Sequence, residues 1–253
     1  MSEVRMITVP VSPFCELARW ALERLEVPYV EQGHVPMLHL LATRTHGGGV
    51  AVPVVDTGAV VLKDAREVFD HYEQRAADRL RLYPADPREQ ADAKALFDRC
   101  FDDLAVAVRA WAYAYMLPRR ASTARVWCVG VPRVERLVVR VAYPLLAMPL
   151  RRALHLQADS IPTQRAAIET FLDQIDTRLA DGRRYLCGDR FTAADIAFAS
   201  MAAPAVIPPE YGGPMPTLDE MPVAMVAEVE RFRGHPAGRF ALRVYREDRG
   251  SRR

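Results

Sequence analysis

Ser12-Pro13-Phe14-Cys15 stands where the apolar run Met6-Ile7-Thr8-Val9 gives way to the helical stretch Glu16 to Glu26. A strand that ends in a turn and opens a helix aims unpaired backbone N–H groups at the helix mouth. The positive end of the helix dipole favours an anion there, so a thiol held at that point, the protein's own or a ligand's, ionises more readily. Two side chains of the motif could use this effect, the hydroxyl of Ser12 and the thiol of Cys15, although Cys15 also reads as a small buried apolar residue.

Around the motif, from Val4 to about Arg75, short strand-like and helix-like segments alternate. Met6 to Val9 reads as a strand, Cys15 to Leu25 as a helix, and Val27 to Val30 as a second strand begun by Pro28. Pro36 opens a short helix that ends before Gly47-Gly48-Gly49. Val50 to Val55 and Ala59 to Leu62 are β-rich runs separated by Asp56-Thr57-Gly58, which is hairpin chemistry. Asp64 then caps a helix reaching Tyr72. The order βαβαββα describes an α/β unit.

After Tyr83-Pro84 the β signal vanishes. Asp86-Pro87 is a cap followed by proline at the first helical position, and Phe97, Phe101, Leu104, Val108, Trp111 and Tyr115 follow at spacings of four and three, one face of a long helix. That stripe reads as packing, with Trp111, Tyr113 and Tyr115 as the alternative walls of an apolar ligand site. Ile168, Leu172, Ile175 and Leu179 mark another helix, ended by Asp181-Gly182. Between the two, Pro118, Pro132, Pro144 and Pro149 predict a series of short helices. The run Val141 to Leu150 is too short to span a bilayer and reads as a buried helix pair, or else as an interfacial membrane helix. In Phe191-Thr192-Ala193-Ala194-Asp195-Ile196, Thr192 and Asp195 form a capping box and Phe191 with Ile196 a hydrophobic staple, a folding element. Gly234 to Tyr245 reads as a turn leading into a packing helix.

A chain of 253 residues, half of them hydrophobic, predicts two domains with a substantial core. The net charge of +2, with arginine spread among acids, argues against nucleic-acid binding. Cys15, Cys100, Cys128 and Cys187 lack zinc-ligand spacing and read as reduced thiols of a cytoplasmic protein. Ser2-Glu3-Val4-Arg5 carries no apolar leader segment. The histidines show no carboxylate or cysteine at metal-ligand spacing, so no metal is expected.

These residues resemble the cytosolic glutathione S-transferases. Ser12-Pro13-Phe14 followed by Arg19, Val52-Pro53-Val54, Asp64 opening the next helix, and the Thr192-Ala193-Ala194-Asp195 cap stand in that superfamily's order and approximate spacing. The resemblance implies a thioredoxin-like α/β N-terminal domain, over residues 1–80, that binds glutathione as co-substrate. It implies an all-α domain, over residues 86–246, with a site for a small apolar electrophile, and a homodimer without stable membrane insertion. In that reading Ser12 stabilises the glutathione thiolate. Phe14, Val52 before a cis Pro53, Asp64, Ala65 and Arg66 hold the tripeptide, and Trp111 and Tyr115 contact the electrophile. Lowering a thiol pKa from ~8.5 by one or two units is worth about 1.4 to 2.7 kcal/mol, the scale that one hydroxyl and a helix dipole supply. Ala65 departs from the family's usual serine, and losing one charge-assisted hydrogen bond costs about 1.5 to 3 kcal/mol of glutathione affinity.

Three functions follow. The first is a transferase of detoxification type, with Ser12 stabilising the glutathione thiolate. The second is a glutathione-dependent thiol reductase, with Cys15 as nucleophile. The third is a binding or scaffold protein that kept the fold and lost the chemistry, which Ala65 and the glycine loop support.

Overall fold

The alternating half of the sequence folds into β1 (Val4–Thr8), α1 (Pro13–Arg24), β2 (Tyr29–Gly33), α2 (His39–Thr45), β3 (Val54–Asp56), β4 (Val61–Leu62) and α3 (Ala65–Glu73). The structure, a computed structural model, describes residues 3–157 and 159–250; Ser2, at the head of the segment read as lacking a leader, lies outside them. The strands form one sheet in the order β2-β1-β3-β4. β1 runs parallel to β2, with Thr8 opposite Gly33, and antiparallel to β3, with Ile7 opposite Val54. β3 pairs antiparallel with β4, Val55 opposite Leu62. This is the expected thioredoxin-like arrangement.

Two boundaries shift for local reasons. β2 begins at Tyr29, after Pro28, which has no N–H to give a ladder. β3 begins only at Val54, because the preceding Val52–Pro53 peptide is cis and Val50 lies exposed. In β1, which has a neighbour on each side, Met6, Ile7 and Thr8 are fully buried.

The remaining helices are α4 (Pro87–Arg99), α5 (Ala105–Met116), α6 (Arg120–Trp127), α7 (Arg133–Ala153), α8 (Ser160–Leu179), α9 (Ala193–Val206), α10 (Val223–Gly234) and α11 (Pro236–Asp248). Asp86 caps α4 by accepting the N–H groups of Arg88 and Glu89 at 2.9 and 3.0 Å. A π-helical turn, Cys100–Leu104, joins α4 to α5, so the expected long helix continues through one wide turn. α9 is apolar around its circumference and correspondingly buried, packed by α4, α5, α10 and α11.

The proline-rich segment is divided into short helices, as its prolines predict. α7 runs over 21 residues but consists of two helical arms that meet at a kink, where Ala142 (φ −119°, ψ 22°) is non-helical. Pro144 has no N–H for the carbonyl of Arg140, and the Arg120 guanidinium donates to that carbonyl instead, at 2.6 Å. Val141 to Leu150 is not a buried pair: Tyr143 and Leu146 face inward, while Val141 and Leu145 stand exposed.

Contacts divide the chain into two units that do not follow sequence order. The first contains the residues up to Leu80, Arg119–His155 and Gly212–Pro216. The second contains Arg81–Pro118, Leu156–Tyr211 and the residues from Thr217. Thus α6 and α7, placed in the helical domain by the sequence reading, group by contact with the α/β unit.

Candidate functional site

Strand register gathers the expected glutathione residues at one end of the sheet. Ile7 opposite Val54 places the end of β1 beside the Val52–Pro53 peptide, and Val55 opposite Leu62 carries β4 out to Asp64 on the same edge. From the end of β1 the chain turns through Val9, whose carbonyl accepts the Ser12 N–H at 2.8 Å. Ser12 is the N-cap of α1 and its carbonyl takes the first helical bond, from Glu16 N–H at 3.0 Å; Pro13 follows at the first helical position. The Ser12 hydroxyl makes no cap bond to the helix, and the residue is half-buried at the helix mouth, as is Phe14.

A buried ionic cluster fixes this turn. The Arg19 guanidinium donates to both carboxylate oxygens of Glu31, at 2.6 Å for the shortest contact, to Glu16 at 3.3 Å and to the Pro10 carbonyl at 2.9 Å. Glu31 also accepts the Thr8 hydroxyl at 2.7 Å, and Glu16 accepts the Gly212 N–H at 3.1 Å. Arg19 was legible only as a motif residue. Its i,i+3 spacing to Glu16 was the available signal, whereas Glu31 is brought in by strand pairing.

Cys15 does not sit as a helix-mouth thiol should. It is fully buried, and burial pushes its pKa up to about 12, against the opposing pull of the Arg19 charge, the Val9 backbone and the Ser12 hydroxyl. A neutral, inaccessible thiol is a poor nucleophile, so Cys15 takes its alternative reading, a small buried apolar residue, and of the two motif side chains only Ser12 is left to exploit the dipole. The reductase reading thereby loses its proposed attacking group.

At α3, Asp64 adopts an extended N-cap conformation and accepts the Glu67 N–H at 2.9 Å, while the Glu67 carboxylate accepts the Lys63 N–H at 2.7 Å. Ala65, first in the helix, is completely buried. Arg66 is half-buried beside it. At β2, Gly33 is obligatory: a Cβ there would come within 2.5 Å of the Gly130 carbonyl. Immediately after it, Glu135 of α7 accepts the Val35 N–H at 2.7 Å and meets His34 Nδ1 at 2.5 Å, tying α7 to the α/β unit.

Trp111 and Tyr115 belong to the second unit and have internal partners there. Trp111 is wholly buried, its Nε1–H donating to Glu228 at 2.6 Å and its ring edge-on to Phe232 with centroids 5.4 Å apart. It therefore offers no face to a ligand, contrary to its expected role. Tyr115 is half-exposed; its hydroxyl donates to Glu228 at 3.1 Å, and burial followed by the Glu228 charge pushes its pKa up to about 12. The Arg165 guanidinium completes the group at 3.1 Å.

The capping box of α9 forms as read. Asp195 accepts the Thr192 N–H at 2.7 Å and the Leu186 N–H at 2.8 Å, fully buried. Among the described residues, Asp173, Asp176 and His235 bring together ligand-type atoms that the sequence reading did not connect. Asp176 is engaged in capping α11, accepting the Ala237 N–H at 2.6 Å and lying 3.1 Å from His235 Nδ1.

Comparison with known proteins agrees with this geometry. The family described as "Glutathione S-transferase, N-terminal domain" matches residues 6–80, and that described as "Glutathione S-transferase, C-terminal domain" matches residues 59–223. No curated protein matches the sequence. Similar solved structures include a glutathione S-transferase of Methylobacterium radiotolerans in complex with glutathione sulfonate, 19% identical with TM-score 0.57 over 95% of both chains. The beta-etherase LigF of a Sphingobium strain is 14% identical with TM-score 0.60, covering 96% of this chain and 99% of its own. A theta class glutathione S-transferase of Xanthomonas axonopodis pv. citri with glutathione bound is 20% identical with TM-score 0.52, covering 96% and 98%. With both family domains matched across residues 6–223 and the thioredoxin-like sheet in place, the chain belongs to the glutathione S-transferase family.

Proposed function

We propose that this protein is a glutathione transferase in which Ser12 stabilises the thiolate of bound glutathione for attack on a small apolar electrophile. The observation that carries the reading is the Ser12 hydroxyl at the mouth of α1, not used as a cap, on the sheet end that also bears cis Val52–Pro53 and the start of α3. In this reading Phe14, the Val52 backbone, Pro53, Asp64, the Ala65 N–H and Arg66 hold the tripeptide. A helix N-terminus suits the γ-glutamyl carboxylate, and the Asp64 carboxylate suits its ammonium. The proposal includes a cytoplasmic homodimer.

Ser12→Ala is expected to lower kcat/KM with a general electrophile by about 10- to 100-fold, the equivalent of one to two pKa units on the thiol, with glutathione affinity nearly unchanged. Cys15→Ala should retain turnover. Full activity in Ser12→Ala would refute the assignment.

Ala65 favours one competing reading, a binding protein of the same fold without catalysis. Calorimetric titration separates the two. Saturable glutathione binding accompanied by conjugation supports the transferase, and binding of an apolar ligand without glutathione supports the alternative.

A further inference from the structure

Arginine is not spread evenly over this fold. The segment 119–155, which forms α6 and α7, holds eight arginines and a single acid, Glu135, for a net charge of +7 in a chain whose total is +2. The rest of the molecule is therefore net negative, at −5. The one acid is engaged by His34 and the Val35 N–H, so it does not offset the exposed arginines.

α7 also carries apolar residues on its outer side. Val134, Leu137, Val141, Leu145 and Met148 are 73, 60, 69, 68 and 46% exposed. At 100° per residue Val134, Leu137 and Val141 fall within an arc of about 60° on the arm before Ala142, and Leu145 and Met148 lie about 60° apart on the arm after it. The opposite side of the helix faces the protein: Val139, Tyr143 and Leu146 are buried, and Tyr143 lies 5.5 Å from the Trp127 ring of α6. Arg133, Arg136 and Arg140, all exposed, flank the stripe along one side, and Arg151 and Arg152 stand at its end.

We infer that α7 docks this protein on an anionic lipid bilayer surface, with the stripe in the acyl boundary and the flanking arginines at the phosphates. An apolar face bordered by arginine is the composition of an interfacial helix. A polynucleotide would satisfy the charge and leave the stripe in water. A second copy would cover the stripe but set two arginine-rich, acid-poor segments against each other. Among the described residues no helix is long and apolar enough to cross a membrane, so the attachment lies on the surface. The bend at Ala142 divides the stripe between two short helical arms. The inference is independent of what the Ser12 turn does.

The test is co-sedimentation of the full chain with vesicles of phosphatidylcholine alone and of phosphatidylcholine mixed with about one third phosphatidylglycerol. Binding to the anionic vesicles should exceed binding to the neutral ones by at least about tenfold and should weaken by a similar factor near ~0.5 M salt. Leu137→Asp with Leu145→Asp should abolish it, and Arg133→Gln with Arg136→Gln and Arg140→Gln should reduce it about tenfold or more. All five positions are exposed, so circular dichroism should show both variants folded. Equal binding to both vesicle types, no binding to either, or binding undiminished in the folded Asp variant would overturn the proposal. So would self-association in sedimentation equilibrium that the same Asp substitutions dissolve, which would assign the stripe to a second copy.

Discussion

Cys15 and Ser12 are three positions apart, yet the helix treats them oppositely. Ser12 remains at the mouth, half-buried, while Cys15 has turned inward and is sealed off by the core. Brief alkylation at about pH 8 should therefore label the partly exposed Cys128 ahead of Cys15 and Cys100, with all four reacting only after denaturation; peptide mapping by mass spectrometry reads this directly. Rapid labelling of Cys15 would contradict its burial. Asp195 provides a second test at this scale. Burial raises its pKa from 3.8 to about 6, although the Leu186 and Thr192 bonds pull the other way. A carboxyl with a higher pKa folded than unfolded contributes stability that is fully present below pH 3.8 and is lost as the pH rises through 6. A rise of this size corresponds to about 3 kcal/mol. The stability of wild type relative to Asp195→Asn, measured by denaturant unfolding, should thus fall between about pH 4 and pH 7; a pH-independent difference would be the contrary result. The residues legible in the sequence were those with local partners: Ser12 before Pro13, Asp64 before α3, Thr192 three positions from Asp195. The burial of Cys15 was legible as the alternative to a nucleophile, a small apolar residue among apolar neighbours, and the structure bears that alternative out.

Among the elements, α5 shows where that legibility ends. Its spacing correctly announced a helix and a packed face, but whether Trp111 faced a ligand or the core depended on α10, whose Glu228 takes its N–H. A buried carboxylate shared by Trp111, Tyr115 and Arg165 joins α5, α8 and α10. Glu228→Ala leaves three donors without that acceptor and should cost about 3 to 5 kcal/mol in thermal or chemical unfolding. Glu228→Gln keeps one carbonyl acceptor for Trp111 and should cost about 1 to 2 kcal/mol. Equal losses in the two variants would mean that size, not hydrogen bonding, is what α10 supplies. α7 was the least legible element. Its prolines suggested breaks, and the non-helical Ala142 before Pro144 does part it into two arms, but the arms stay joined because Arg120 of the neighbouring α6 satisfies the carbonyl that the missing N–H leaves. No pattern within α7 itself signals that compensation.

For the whole molecule, the sequence disclosed the two architectures, α/β then all-α, because the change of hydrophobic period falls near residue 84. It did not disclose that contacts run across that order. The first unit is assembled from three separate stretches, ending with Gly212–Pro216, and two of its fastenings, Gly33 against Gly130 and His34 with Glu135, span about a hundred residues. Folding coupled to synthesis must take this into account. A domain usually completes itself as its last residue leaves the ribosome, but here the sheet emerges long before the helices and the loop that close it. At about 5 to 20 residues per second, the strand edge at Gly33 waits on the order of ten seconds for its partner. During that interval the nascent sheet lacks its packing at Gly33 and His34, and the second unit, itself interrupted by α6 and α7, is equally incomplete. Neither unit can therefore close until Gly212 and the residues after it have been made.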